Sequence, residues 1–224
     1  SLALSAINAK VVQLLGPARF NQAWGGSMAI RVEVFRRVGL DKIWPKAFSD
    51  DLSLSCAVKK SGLKIAYIPS CLVASYESAT WGKLFRFARR QFLITRIYAP
   101  RIWWLGLFGS LYSVLALWGT TAVAVYAAAT GEKNLALFIA VPILFFVSQM
   151  GQAILRQRMV GKLLKKDRPK MKYAMAADIL ACWMWSPLEL FIIVTSAFGN
   201  TVFWRGIRYK LPSPTETIVV GRKG

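Results

Sequence analysis

The sequence predicts an α/β half-domain followed by an α-helical membrane region. Three observations predict it. Strand-like and helix-like segments alternate over residues 1–80, uncharged apolar stretches of 28 and 21 residues follow at 102–129 and 135–155, and basic residues crowd the flanks of those stretches. About 20 apolar residues cross a hydrocarbon layer of ~30 Å, so each stretch is long enough to span. A length of 224 residues suits one or two domains, and 55% hydrophobic residues exclude a disordered chain.

The first 80 residues justify the α/β reading in chain order. Ala3, Ile7, Val11 and Leu14 share one helical face, and Gly16-Pro17 stops that helix. Gly25-Gly26 opens a short apolar strand over 27–30, and a helix over 32–38 ends at Gly39. Ser49 and Asp50 suit the N-cap of a helix over 51–60, which Gly62 closes. Residues 63–69 alternate as a strand does. Strands alternating with helices argue for an α/β sheet, of which this is a part.

Residues 81–101 read as a basic amphipathic helix and its end. Trp81, Leu84, Phe85, Ala88, Phe92, Thr95 and Ala99 fall on one stripe, with Lys83, Arg86, Arg89, Arg90 and Arg96 opposite. A helix lying in a membrane interface has this pattern. Pro100 ends it, and Trp103-Trp104 form an aromatic anchor for the first span. Between the spans lies only a short turn, 130–134, whereas residues 156–172 carry eight Lys or Arg and one Asp. The positive-inside rule puts that loop and the basic helix in the cytoplasm, in agreement with two crossings.

A third apolar stretch, 173–203, contains Ser186-Pro187-Leu188-Glu189, with Ser at N-cap, Pro at N1 and Glu at N3. This signature predicts two helices of roughly 13 residues, each about 20 Å long. That favours a re-entrant or interfacial hairpin over a single kinked span, and returns the basic tail to the cytoplasm.

Composition removes several chemistries. With no histidine, Ser-His-Asp and Cys-His catalysis and His-ligated zinc are absent. Cys56, Cys71 and Cys182 lack metal-ligand spacing and suggest reduced thiols. Thirty Lys and Arg against ten Asp and Glu give a formal charge of +20, which raises nucleic-acid binding as a reading. The basic residues follow membrane topology, which already accounts for them. Asp50-Asp51 is the sole pair of adjacent carboxylates. A helix N-terminus favours its ionised form, and such a carboxylate can take a proton from a hydroxyl nucleophile. The same pair also reads as helix caps. Gly25-Gly26-Ser27 is either a loop that lets backbone approach a ligand or a tight turn into a strand. The arginines at 86–96 suit a diphosphate or anionic lipid headgroups. Asp178 sits in apolar sequence close enough to the basic loop to pair with it.

The order of Trp24-Gly25-Gly26-Ser27-Met28-Ala29-Ile30-Arg31, Asp50-Asp51-Leu52-Ser53-Leu54 and Lys60-Ser61-Gly62, ahead of an Arg-rich helix and apolar hairpin, resembles the second half of a membrane-bound family 2 type glycosyltransferase. Residues 204–211, Trp-Arg-Gly-Ile-Arg-Tyr-Lys-Leu, are similar to the tail of the ceramide glucosyltransferase-like branch. The resemblance implies a Rossmann-like GT-A catalytic domain on the cytoplasmic face, a nucleotide-sugar donor and a membrane lipid acceptor. It implies Asp51 as the general base, with Asp50 beside it, in one inverting displacement. Trp24, Gly25, Gly26 and Ser27 would line the substrate pocket, with Arg86, Arg89, Arg90 and Gln91 as further substrate-binding candidates.

Two departures stand out. The family's Gln/Arg-x-x-Arg-Trp motif is met only in part, either by Arg86, Arg89 and Arg90 with Arg in the Trp position, or by Arg90-Gln91 with Phe87 at its head. No Asp-x-Asp occurs in the chain. Ligands for Mg²⁺ or Mn²⁺ are therefore expected upstream of Ser1, and this stretch alone is expected to be inactive. A processive polysaccharide synthase and a non-enzymatic scaffold or transporter module are the competing readings.

Overall fold

The computed structural model describes residues 21–69 and 80–222. The helix expected around Ala3–Leu14 and the thiol of Cys71 lie outside these residues.

The first unit is built from α1 (Val32–Arg37), α2 (Leu40–Ile43) with a 3-10 turn at Trp44–Lys46, and α3 (Asp50–Lys60). Ser49 caps α3: its backbone is extended and its hydroxyl accepts the Leu52 amide. At the other end Gly62 takes φ +73°, and the Leu63 amide returns to the Val58 carbonyl, a turn that glycine makes without strain. Ala23, Leu40, Leu54, Ala57 and Val58 form the core, with Met28, Ile30, Phe35 and Ile65 packed around it.

The strands expected at 27–30 and 63–69 do not form. A strand exists only through a laddered neighbour, and among the described residues neither segment has one. Side chains tie the two flanks instead: Asn21 Nδ2 donates to the Ile65 carbonyl, and the Ala23 amide donates to the buried Ser55 hydroxyl at 2.8 Å. The described residues are thus helix-rich, with no parallel sheet among them.

Helix α4 (Trp81–Tyr98) follows, with Thr80 as its N-cap. Its buried residues are Leu84, Ala88, Leu93, Ile94 and Tyr98, so much of its apolar side faces protein. Next come α5 (Pro100–Val114), a π-helical turn at Leu115–Gly119, and α6 (Thr120–Thr130), then α7 (Leu135–Leu163). The continuous run Pro100–Thr130 and α7 are each long and apolar enough to cross a membrane. At the π turn Thr121 Oγ1 donates to the Leu117 carbonyl at 2.6 Å, and Thr120 also bonds back. Such hydroxyls re-satisfy backbone groups that an irregular turn frees inside lipid. Trp103 is not a lipid-facing anchor. It is buried and donates to Ser196 Oγ at 2.9 Å, leaving Trp104 as the exposed member of the pair.

The third apolar region departs from the expected division. Helices α8 (Arg168–Leu180) and α9 (Cys182–Ser196) meet at Ala181 with an 81° bend, and Pro187 lies inside α9 rather than at its start. An interior proline strips the carbonyl four residues earlier of its donor. Here that carbonyl belongs to Trp183, and Trp118 Nε1 from the π turn donates to it at 3.2 Å. A distant indole thus replaces the missing amide, so Pro187 is accommodated and Ser186 is no cap. Asp178 on α8 is fully buried, held by Arg156 of α7 at 2.9 and 2.8 Å and by Gln157 Nε2 at 2.6 Å.

The tail forms an antiparallel sheet, β1 (Thr201–Trp204), β2 (Ile207–Ser213) and β3 (Glu216–Arg222), in that order. Arg205 and Gly206 both have positive φ, 49° and 78°, which gives the two-residue turn whose twist matches a hairpin. Leu211 is fully buried, with Val202 beside it, against Leu93, Ile94 and Tyr98 of α4.

Candidate active site

Two motifs 26 residues apart meet at the N-terminus of α3. Ser27 N–H bonds the Trp24 carbonyl at 3.0 Å, turning the Trp24-Gly25-Gly26-Ser27 segment back on itself. That turn presents Gly25 N–H to Asp51 Oδ2 at 3.2 Å. A Cβ on Gly25 would sit 3.2 Å from Asp51 Oδ2 and 3.4 Å from Asp50 Oδ1. Residue 25 is therefore glycine for proximity, since its φ is not positive.

The carboxylates are oriented by the helix start. Asp51 Oδ1 accepts the Leu52 amide at 2.7 Å and the Ser49 hydroxyl, which leaves Oδ2 towards the Gly25 turn. Asp50 Oδ1 accepts the Asp51 amide at 2.9 Å, and its carbonyl takes Trp44 Nε1 at 3.1 Å. Asp51 is half-buried, whereas Asp50, Gly25, Gly26, Ser27 and Trp24 are exposed. A pinned carboxylate with one oxygen towards an open glycine turn can receive a proton from a bound hydroxyl.

The α4 candidates do not join this cluster. Arg89 donates from Nε to the Thr195 carbonyl at 3.3 Å and from a terminal nitrogen to the Phe198 carbonyl at 3.0 Å. Its guanidinium is committed to the C-terminal end of α9, where free carbonyls attract cations. Arg96 does the same with the Ala197 and Gly199 carbonyls and with Asn200 Oδ1 at 2.6 Å. Burial, and then the neighbouring Arg89, lower its pKa, though an arginine so placed remains a cation at neutral pH. Arg90 stands 5.6 Å from the Phe87 ring, with its pKa also lowered by burial. Arg86 and Gln91 are exposed. No hydrogen bond or ion pair links Arg86, Arg90 or Gln91 to Asp50 or Asp51 among the described residues.

Sequence reasoning missed the braces behind the acid loop. Tyr98 Oη accepts the Phe48 and Ser49 amides at 2.8 and 3.4 Å. The Phe48 ring meets Trp204 and Tyr209 edge-on, and Thr217 Oγ1 donates to the Lys46 carbonyl at 2.9 Å. The hairpin turn at Arg205-Gly206 was the available signal for the sheet, but its docking on Phe48 leaves no local trace.

A family model described as Glycosyl transferase family group 2 matches residues 8–150, more than half of the chain. The chain belongs to this family. No curated protein and no solved structure matches it. As a glycosyltransferase it carries the Gly25 turn, Asp50-Asp51, α4 and the first span inside the matched region. Among its described residues the glycosyltransferase also has two helices long and apolar enough to cross a bilayer. The resemblance assigns a divalent cation to the reaction. Among the described residues no three His, Cys, Asp or Glu side chains converge, and Asp50 and Asp51 each spend an oxygen on backbone amides. These residues do not compose the six-oxygen shell such an ion takes.

Proposed function

We propose that this glycosyltransferase moves a sugar from a nucleotide-sugar donor to a hydroxyl of a membrane lipid in one inverting displacement, with Asp51 as general base. The observation that carries the reading is the meeting of Asp51 Oδ2 with the Gly25 turn at 3.2 Å on an open face. The acceptor O–H proton passes to Asp51 Oδ2 as its oxygen bonds the anomeric carbon. The bond from that carbon to the diphosphate breaks, and its electron pair leaves with the nucleoside diphosphate.

Trp24, Gly26 and Ser27 border the same face and are read as the substrate wall, with Asp50 holding the Asp51 amide. Arg86, Arg90 and Gln91 are read as the cationic and polar rim on the diphosphate side, while Arg89 supports α9. A divalent ion would take its ligands from outside the described residues. The unit at 21–69 is read as part of a Rossmann-like GT-A domain. The spans and the tail sequence at 204–211 favour a lipid acceptor of the ceramide-like kind. The basic residues of α4 and of 156–172 favour a cytoplasmic catalytic face in contact with anionic lipid.

The test uses the full-length enzyme in membranes with a panel of radiolabelled nucleotide sugars. Wild type is expected to yield label extractable in chloroform–methanol. Asp51→Asn is expected to lower kcat by about a thousandfold while donor binding persists, within the range for loss of a general base. Label in an insoluble polymer would identify a processive synthase, and wild-type turnover by Asp51→Asn would remove Asp51 from its role.

A further inference from the structure

Tyr98 is the last residue of α4 and stands two positions before Pro100, which opens the first membrane-crossing run. Its ring is buried among Leu93, Ile94, Val202 and Leu211, so the hydroxyl has little freedom to move. That hydroxyl accepts the Phe48 amide at 2.8 Å and the Ser49 amide at 3.4 Å. Both amides precede the first turn of α3, where the helix supplies them no partner. Ser49 passes the constraint on, since its Oγ donates to Asp51 Oδ1 and accepts the Leu52 amide. A continuous chain of contacts thus runs from the start of the membrane span, through Tyr98 and Ser49, to the Asp51 carboxylate.

We propose that Tyr98 is a positioning residue for Asp51, acting through Ser49 to hold the carboxylate at a fixed height above the membrane boundary. This rests on Asp51 being the base. A lipid hydroxyl is confined to a thin layer, so a base that serves it gains from anchorage to the element that enters the bilayer. Reactive geometry is sensitive to displacements of about 1 Å, and one hydroxyl bridging two amides is enough to set such a displacement.

The experiment is a double-mutant cycle in the full-length enzyme, with kcat counted per molecule in the monodisperse size-exclusion peak. Tyr98→Phe keeps the packed ring and removes the hydroxyl. It is expected to lower kcat by about tenfold with the donor KM within about twofold, the effect of a base held less firmly at the reacting oxygen. Ser49→Ala is expected to cost about the same. If Tyr98 acts through Ser49, the double variant falls by about tenfold to twentyfold, whereas independent effects multiply to about a hundredfold. A merely structural role would lower the yield of the monodisperse peak and leave the two effects independent. A multiplicative double variant, or wild-type kcat in Tyr98→Phe, overturns the proposal while Asp51→Asn still abolishes transfer. Wild-type turnover by Asp51→Asn instead removes the base, and the positioning role with it.

Discussion

Gly25→Ala is the sharpest probe of the site because it adds one methyl group at a known distance. The new Cβ would lie 3.2 Å from Asp51 Oδ2, closer than comfortable carbon–oxygen contact, and 3.4 Å from Asp50 Oδ1, at its edge. The backbone at residue 25 does not need glycine, so the effect is purely one of space. Asp51 cannot yield freely, since its other oxygen is bound to the Leu52 amide at 2.7 Å and to Ser49. Relief of a few tenths of an ångström must therefore stretch the Gly25 N–H contact or rotate the carboxylate off its helix-start bonds. An exposed hydrogen bond of this kind is worth about 0.5–1.5 kcal/mol to stability. Since a misplacement of about 1 Å at a reacting atom can cost about a hundredfold in rate, a few tenths of an ångström is expected to cost up to about tenfold. The expected outcome is a melting temperature lowered by no more than about 6 °C and kcat reduced about tenfold. Radiolabel transfer by the full-length enzyme, paired with a detergent melting curve, reads both. Wild-type kcat in Gly25→Ala would refute the claim that the Gly25 turn and Asp51 act together.

Two further predictions concern the membrane region. Asp178→Ala leaves Arg156 and Gln157 buried without their acceptor and is expected to cost about 3–5 kcal/mol, whereas Arg156→Met and Gln157→Leu with Asp178→Leu restore most of it; melting of each variant in one detergent checks this, and equal losses in both would contradict it. Trp118→Phe strands the Trp183 carbonyl and is expected to cost about 1 kcal/mol, within the spread for hydrogen bonds between helices in bilayers. Adding Pro187→Ala returns an amide to that carbonyl, so the double variant should melt above Trp118→Phe, and a further drop would argue against the substitution of indole for amide.

What could be read in the residues was what neighbours in sequence decide. The Ser49 cap, the Gly62 stop and the two spans depend on contacts within a few positions, and each was visible. Asp178 could also be matched to the basic loop, because Arg156 and Gln157 lie just one helix earlier. The apolar runs at 27–30 and 63–69 look like strands, but pairing is a long-range matter and no ladder forms among the described residues. Ser186-Pro187 looks like a helix start for the same local reason. The donor that makes Pro187 tolerable in a helix interior sits at Trp118, 65 positions away from its acceptor. Half of the site shared this fate. Asp50-Asp51 and Gly25-Gly26 stood out as types, whereas their meeting and the bracing by Tyr98 arise from folding. The turn of Arg89 towards the Thr195 and Phe198 carbonyls is not legible locally, because a cation on a basic helix looks equally available for a ligand or for the carbonyl end of a neighbouring helix.

The full burial of Asp178 bears on how the chain is threaded into the bilayer during synthesis. Its helix emerges after α7, and a buried carboxylate left without its partner costs about 3–5 kcal/mol. The guanidinium that neutralises it is carried at the trailing end of the preceding span, so the receptor is in place before the acid arrives. The second span therefore carries, at its end, the partner on which the bent pair settles.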